Sequence, residues 1–304
     1  MIMKKIVVFF IMLSYSLFGQ QENKGDRLRS EGRLDEAIKA YKEIYQKNPN
    51  NQDNTYNLAC AYAIQYKKDS AFHYLNVALN KDNSLWALAD NDLYALTSDK
   101  RWKMIERQQL EKYQKQNGNV QKPKYVLKLL RLIMKDQALD YQLDMAKQYF
   151  MRNGKAPHWY YPIAQMKKEI GNGNFNIMEK LILENGWPTY SSVGKLAADS
   201  PLLIINHHQD EAVRIKYLPQ IKKACINKEG SCLEYAKIQD RILVNTGKKQ
   251  LFGMQFRYND KRKLEPFPIE KPEYVDKRRK EIGLEPLKEY LKRKINYTWS
   301  VEQK

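Results

Sequence analysis

A spacing of thirty-four residues constrains this chain more than any other feature of it. Gly25, Leu28, Gly32, Ala37, Tyr41, Ile44 and Pro49 return as Ala59, Tyr62, Tyr66, Ala71, Leu75, Ala78 and Asn83. A period of this size marks stacked copies of one supersecondary unit, each too small to bury its apolar face alone. Small residues at 25/59 and 37/71 let paired helices approach, and large ones at 41/75 fill the space between them. Gly32-Arg33-Leu34-Asp35-Glu36-Ala37 reads as the turn between two helices, and Asn48-Pro49-Asn50-Asn51 as the end of the unit.

These positions resemble the tetratricopeptide repeat, with a second copy that is looser, having Asn83 where proline is usual. Proteins with such repeats generally serve as interaction scaffolds, so the resemblance implies a protein or peptide partner. Two units do not close a core, and residues 86–107, with Trp86, Leu88, Leu93, Leu96, Trp102 and Ile105, are the expected closing helical segment. The polar run Gln114-Lys115-Gln116-Asn117-Gly118-Asn119 falls in an expected linker at 113–123. It separates a repeat module at 20–112 from a second domain at 124–304.

Lys4 and Lys5 precede an apolar run from Ile6 to Leu13, followed by Ser14, Ser16 and Gly19. That is the layout of a secretory signal peptide at 1–19, cut before Gln20, and it implies a periplasmic or secreted protein. The alternative is an uncleaved anchor, but the run falls short of the roughly 20 apolar residues a span requires. No other stretch is apolar enough to cross a bilayer, so no transmembrane segment is expected in the mature chain. The formal charge of +18 is spread along the chain and interleaved with acids, as in Lys277-Arg278-Arg279-Lys280-Glu281. It suits an anionic glycan or envelope polymer. No nucleic-acid-binding motif accompanies it, which disfavours nucleic acid.

Cys60 lies in an apolar helical pattern and is expected in the core. Cys225 and Cys232 flank a turn-like loop, and in an exported chain they either form a local disulfide or stay as thiols; without a partnering His or Cys they make a poor metal site. Between Asp240 and Phe256 polar groups crowd among apolar ones. On a helix Leu233, Ala236, Leu243 and Val244 share a face with Asp240 at its middle, so this carboxylate must be paired, hydrogen-bonded or part of a site. After Gly247 the pattern turns to period two, predicting a strand with Phe252, Met254, Phe256 and Tyr258 on one side and Leu251, Gly253, Gln255 and Arg257 on the other.

The second domain also carries an ordered series of short motifs. They are Gly186-Trp187-Pro188, Val193-Gly194, Ile205-Asn206-His207, Asp240-Arg241, Gly247-Lys248-Lys249-Gln250, Phe252-Gly253-Met254-Gln255, Val275-Asp276-Lys277-Arg278-Arg279 and Gly283-Leu284-Glu285-Pro286-Leu287. Together these resemble an uncharacterised bacterial family, domain of unknown function 6624, over residues 124 to 292. The resemblance implies a mostly helical domain with a hairpin and brings no established activity. This chain departs from the family in having Asn206-His207-His208-Gln209 where Gln-His-Ala-Asp is usual, and Phe252-Gly253-Met254-Gln255 where Tyr-Gly-Thr-Gln is usual.

Two functional classes follow. If His207, Asp240, Asn206, Arg241, Gln250 and Gln255 converge on one cleft, they suit acid–base chemistry on an anionic substrate. His207 would move the proton, Asp240 orient its ring, and the others bind. If each is enclosed and bonded to its neighbours, they are architecture, and the repeat module is the functional part of an exported binding or scaffold protein. The leading expectation is the scaffold, with the hydrolase- or lyase-like enzyme as the alternative. Glycines form neither a phosphate loop nor a dinucleotide fingerprint, so no cofactor is expected, and adjacent His207 and His208 do not suit a metal. The expected fold is mainly α: tetratricopeptide-like helical hairpins followed by a helical domain with one β-hairpin.

Overall fold

A computed structural model describes residues 23–304; the expected signal peptide at 1–19 lies outside the described residues. The chain opens with α1 (Lys24–Ser30), α2 (Leu34–Lys47), α3 (Gln52–Ile64) and α4 (Lys68–Leu79), two consecutive helical hairpins packed against each other. The thirty-four-residue spacing is written into their backbone. Gly32 and its counterpart Tyr66 both take left-handed φ angles, 82° and 59°. Around them Arg33 N donates to Leu28 O (2.9 Å) and Lys67 N to Tyr62 O (3.0 Å), the same helix-ending bond in both copies. Tightness explains Gly25: a Cβ there would lie 2.3 Å from Cε1 of Tyr41, whose ring is fully buried between the helices.

The closing helical segment expected at 86–107 is built of three helical pieces. Short 3-10 turns occupy Trp86–Leu88 and Asn91–Ser98, and α5 runs from Trp102 to Asn117, through part of the expected linker. Asp90 caps the second turn through Asp92 N (2.9 Å), which interrupts regular helix there. Only residues 118–122 separate α5 from α6 (Pro123–Asp136).

The remaining helices are α7 (Asp140–Asn153), α8 (Tyr160–Asn185), α9 (Tyr190–Val193), α10 (Lys195–Ala198), α11 (Ser200–His207), α12 (Glu211–Ile226), α13 (Cys232–Asn245), α14 (Val275–Glu281) and α15 (Leu287–Ile295). Helices α6, α8 and α11 make the centre of this half. Tyr125 Oη donates to Gly186 O (3.0 Å) at one end of α6, and Lys167 Nζ to Asp136 O at the other, so α6 and α8 are antiparallel. Ser200 Oγ donates to Leu129 O (2.9 Å) and His207 meets Asp136, so α11 runs parallel to α6. A disulfide between Cys225 and Cys232 joins α12 to α13 at their shared end, and Cys60 is a buried thiol.

The β-hairpin is shorter than its sequence pattern. β1 (Phe256–Tyr258) pairs antiparallel with β2 (Leu264–Pro266), Arg257 opposite Glu265. Residues 251–255, expected as strand, fall outside it because Asp240 takes the amides of Leu251, Phe252 and Met254, Gln250 takes that of Gln255, and Gly253 adopts φ 77°. The fold is mainly helical with this one hairpin among the described residues. A continuous apolar core runs from Leu28 and Tyr41 through Leu129 and Ile205 to Leu291, crossing between the halves of the chain. Arg131 of α6 reaches Glu106 of α5 (2.5 Å) across that crossing. No described helix is long and apolar enough to cross a membrane.

Candidate functional site

Helix α6 has a strong apolar stripe, and Leu129, Leu132, Ile133 and Asp136 occupy it at helical spacing. The stripe therefore delivers a carboxylate into the interior at the last turn. Asp136 is 3% exposed at its side chain and lies 2.7 Å through Oδ2 from Nδ1 of His207, whose side chain is 22% exposed. The imidazole is thus anchored on its inner nitrogen while the ring keeps access to solvent.

The end of α11 is held in place by two arginines. Arg214 Nη1 donates to Asn206 O (3.2 Å) and to His208 O, and Arg241 Nη1 also donates to Asn206 O. Guanidinium groups satisfy carbonyls that a helix C-terminus leaves open and complement its negative end. Glu211 accepts from Arg214 Nε (2.9 Å) and Nη2 (3.0 Å), balancing one of the charges. Burial beside Arg214 lowers the pKa of Arg241 from the ordinary guanidinium range. The Phe175 ring packs 4.5 Å from that of His208.

Beside the pair, Lys167 of α8 donates to Asp140 Oδ1 (2.7 Å) as well as to the Asp136 carbonyl. Burial pushes the Asp140 carboxyl up, with the Lys167 charge working against it. The arrangement is a buried acid, a partly open imidazole and an acid–lysine pair at the meeting of α6, α7, α8 and α11.

The other sequence candidates divide differently. Asp240 is fully buried, and its carboxylate accepts from Leu251 N (2.7 Å), Phe252 N (3.0 Å) and Met254 N (2.9 Å). Its partners are backbone amides, and the carboxylate on His207 is Asp136, in place of the expected Asp240. Burial raises the Asp240 pKa to about 6 although the three amides pull it down. Gln250 bridges the hairpin base: Nε2 donates to Gln255 O (3.1 Å) and Phe267 O (2.8 Å), and Oε1 accepts from Gln255 N (2.8 Å). Gln255 Nε2 donates to Lys237 O (3.0 Å). Arg241 and Asn206 thus meet at the His207 helix end, while Asp240, Gln250 and Gln255 form a separate group at the hairpin.

Asp136, Asp140 and Lys167 escaped the sequence reading. Asp136 carried the signal used for Asp240, an acid on an apolar helical face. Arg279 was missed as well: fully buried, it donates through Nη1 to Phe252 O (2.5 Å) and through Nε to Glu285 O (2.7 Å). Among the described residues, Cys60, Asp90 and Asp92 have ligand atoms within 4.8 Å of one another. Arg29 already pairs with Asp92, and Tyr56 Oη donates to Asp90 (2.8 Å), so the chemistry of that cluster is that of an internal polar tie.

Among known proteins, the model of a family of unknown function, DUF6624, matches residues 125–302. No curated protein and no solved structure matches the chain. The match takes in more than half of the chain, and with it α6, α8, α11 and the whole hairpin group. The chain belongs to the DUF6624 family.

Proposed function

We propose that the family domain is an acid–base enzyme of the hydrolase or lyase kind, acting on an anionic substrate at the Asp136–His207 pair. The observation that carries this reading is the 2.7 Å contact between a buried carboxylate and the inner nitrogen of a partly exposed imidazole. With the Asp136 carboxylate as acceptor the proton resides on Nδ1, which leaves Nε2 as the basic atom of the partly exposed ring. It would take a proton from water or from an acidic C–H of the substrate and return it to the leaving group. The formal charge of +18 favours an anionic substrate, such as an acidic envelope glycan.

The scaffold reading keeps a specific observation of its own in the repeated turn geometry of Gly32 and Tyr66. On that reading α1–α4 are tetratricopeptide-like hairpins that present a surface to a protein or peptide partner. Both readings sit in an exported protein, periplasmic or secreted, for which the Cys225–Cys232 disulfide suits an oxidising compartment.

The test has two arms. Nitrogen-15 NMR of the imidazoles should find His207 in the Nδ1–H tautomer, and Asp136→Asn should mix the tautomers. Turnover across a library of acidic glycans, peptides and phosphoesters should be lost in His207→Gln, by about a hundredfold or more, with thermal stability kept. Absence of turnover throughout the library, with a His207→Gln variant destabilised by about 2 kcal/mol or more, would assign the pair to architecture.

A further inference from the structure

We propose that the tip of the α7–α8 hairpin docks this protein on an anionic lipid surface. Along its fourteen residues α7 buries only Ala146, so most of the helix has no place in the core. Its base is nevertheless braced: Tyr141 Oη donates to Arg29 O (3.2 Å), Gln148 Nε2 to Ser30 O, and Met145 lies against the Gly32 turn. The far end, with Gly154 at a left-handed φ of 69° and Pro157 buried in the return, projects Phe150 (49% exposed), Met151 (75%), Trp159 (42%) and Tyr161 (63%).

Large apolar side chains left exposed lose free energy in water and regain it at an apolar boundary. Trp and Tyr are the residues that settle at the headgroup level of a bilayer, one end apolar and the other wet, and Phe150 and Met151 supply purely apolar groups to insert below them. Charge selects the kind of surface. No acidic residue occurs between Asp144 and Glu169, while Arg152, Lys155 and Lys168 fall in that span. Arg152, Lys155 and Lys168 are exposed on this hairpin. A cluster of cations around an apolar tip is attracted to anionic headgroups by about 1 kcal/mol per charge close to the surface. A stacking platform for nucleic acid would use flat rings alone. The most exposed of these large apolar side chains is the thioether Met151, which fits acyl chains better than bases.

The experiment uses the purified chain and vesicles of phosphatidylglycerol and phosphatidylcholine, with pure phosphatidylcholine vesicles as the comparison. Co-sedimentation should be at least about tenfold stronger on the anionic vesicles and should fall as salt rises. Quenching of tryptophan fluorescence by brominated acyl chains should disappear in Trp159→Phe. Phe150→Ser with Met151→Ser should lower partitioning roughly tenfold at unchanged melting temperature, since both side chains are exposed. Arg152→Gln with Lys155→Gln should flatten the salt dependence. Equal binding of the apolar double variant would overturn the proposal. So would retention on single-stranded oligonucleotide without vesicle binding, or a self-association that the same variant abolishes. None of Phe150, Met151, Arg152, Lys155 and Trp159 is among the groups bonded around His207, Asp136, Asp140 and Lys167, so loss of vesicle binding leaves the acid–base reading untouched, and the converse also holds.

Discussion

Asp240 and Arg279 grip opposite polar edges of one turn: the carboxylate accepts the amides of Leu251, Phe252 and Met254, and the guanidinium donates to the Phe252 carbonyl. The two residues come from helices α13 and α14, thirty-nine positions apart, and neither is exposed. Arg278 adds a bond from Nε to Leu251 O (3.0 Å) and another from Nη2 to Glu270 O (2.6 Å). The turn has no ladder partners at these positions, so its buried backbone groups depend on these side chains.

Asp240→Asn should therefore destabilise the protein by about 3 kcal/mol, because an amide NH2 replaces an acceptor that faces backbone donors. Arg279→Lys should cost a similar amount, since one ammonium cannot span Phe252 O and Glu285 O as the guanidinium does. Chemical denaturation of each variant measures both. Wild-type midpoints would contradict the architectural assignment.

The repeated turn offers a test of the opposite sign. Tyr66 is exposed yet holds φ 59°, a conformation that disfavours any residue with a Cβ. Tyr66→Gly should raise stability by about 1 kcal/mol. At the counterpart position Gly32→Ala should lower it by a similar amount, because φ is 82° and the new Cβ would meet Met145 Sδ at 2.7 Å. Paired denaturation curves that move in the same direction would show that the two turns are not equivalent.

A pH dependence follows from Asp199, which sits at the start of α11 and accepts from Tyr190 Oη (3.3 Å). Burial, with Glu234 adding to it, pushes its carboxyl up to about 7. The folded-state pKa lies above the unfolded value of about 3.9, so the folded chain holds more protons between these limits and its stability falls as pH rises through them. The fall is at most about 1.4 kcal/mol per pH unit for one proton. Asp199→Asn should match the parent near pH 3, below both values, and exceed it in melting temperature by a margin that grows up to about pH 8. Parallel melting curves across that window would refute the assignment.

Local chemistry determined a good deal by itself. Period, small residues and turn signals specified the paired helices at Gly25–Leu79, and an acid on an apolar helical face foretold that Asp240 is buried and must be satisfied. The same rule applied to Leu129, Leu132 and Ile133 would have found Asp136. Sequence spacing does not say which buried polar groups meet. His207 and Asp136 are seventy-one residues apart and join only because α11 runs parallel to α6. The strand pattern held from Phe256 to Tyr258 but failed over Leu251–Gln255 for a related reason: alternation reports which side chains are apolar, but a carboxylate arriving from α13 competed for the amides that a ladder would have used. Short-range periodicity is a property of the chain, while pairing of buried charges is decided by which helices pack together, and that belongs to the tertiary structure.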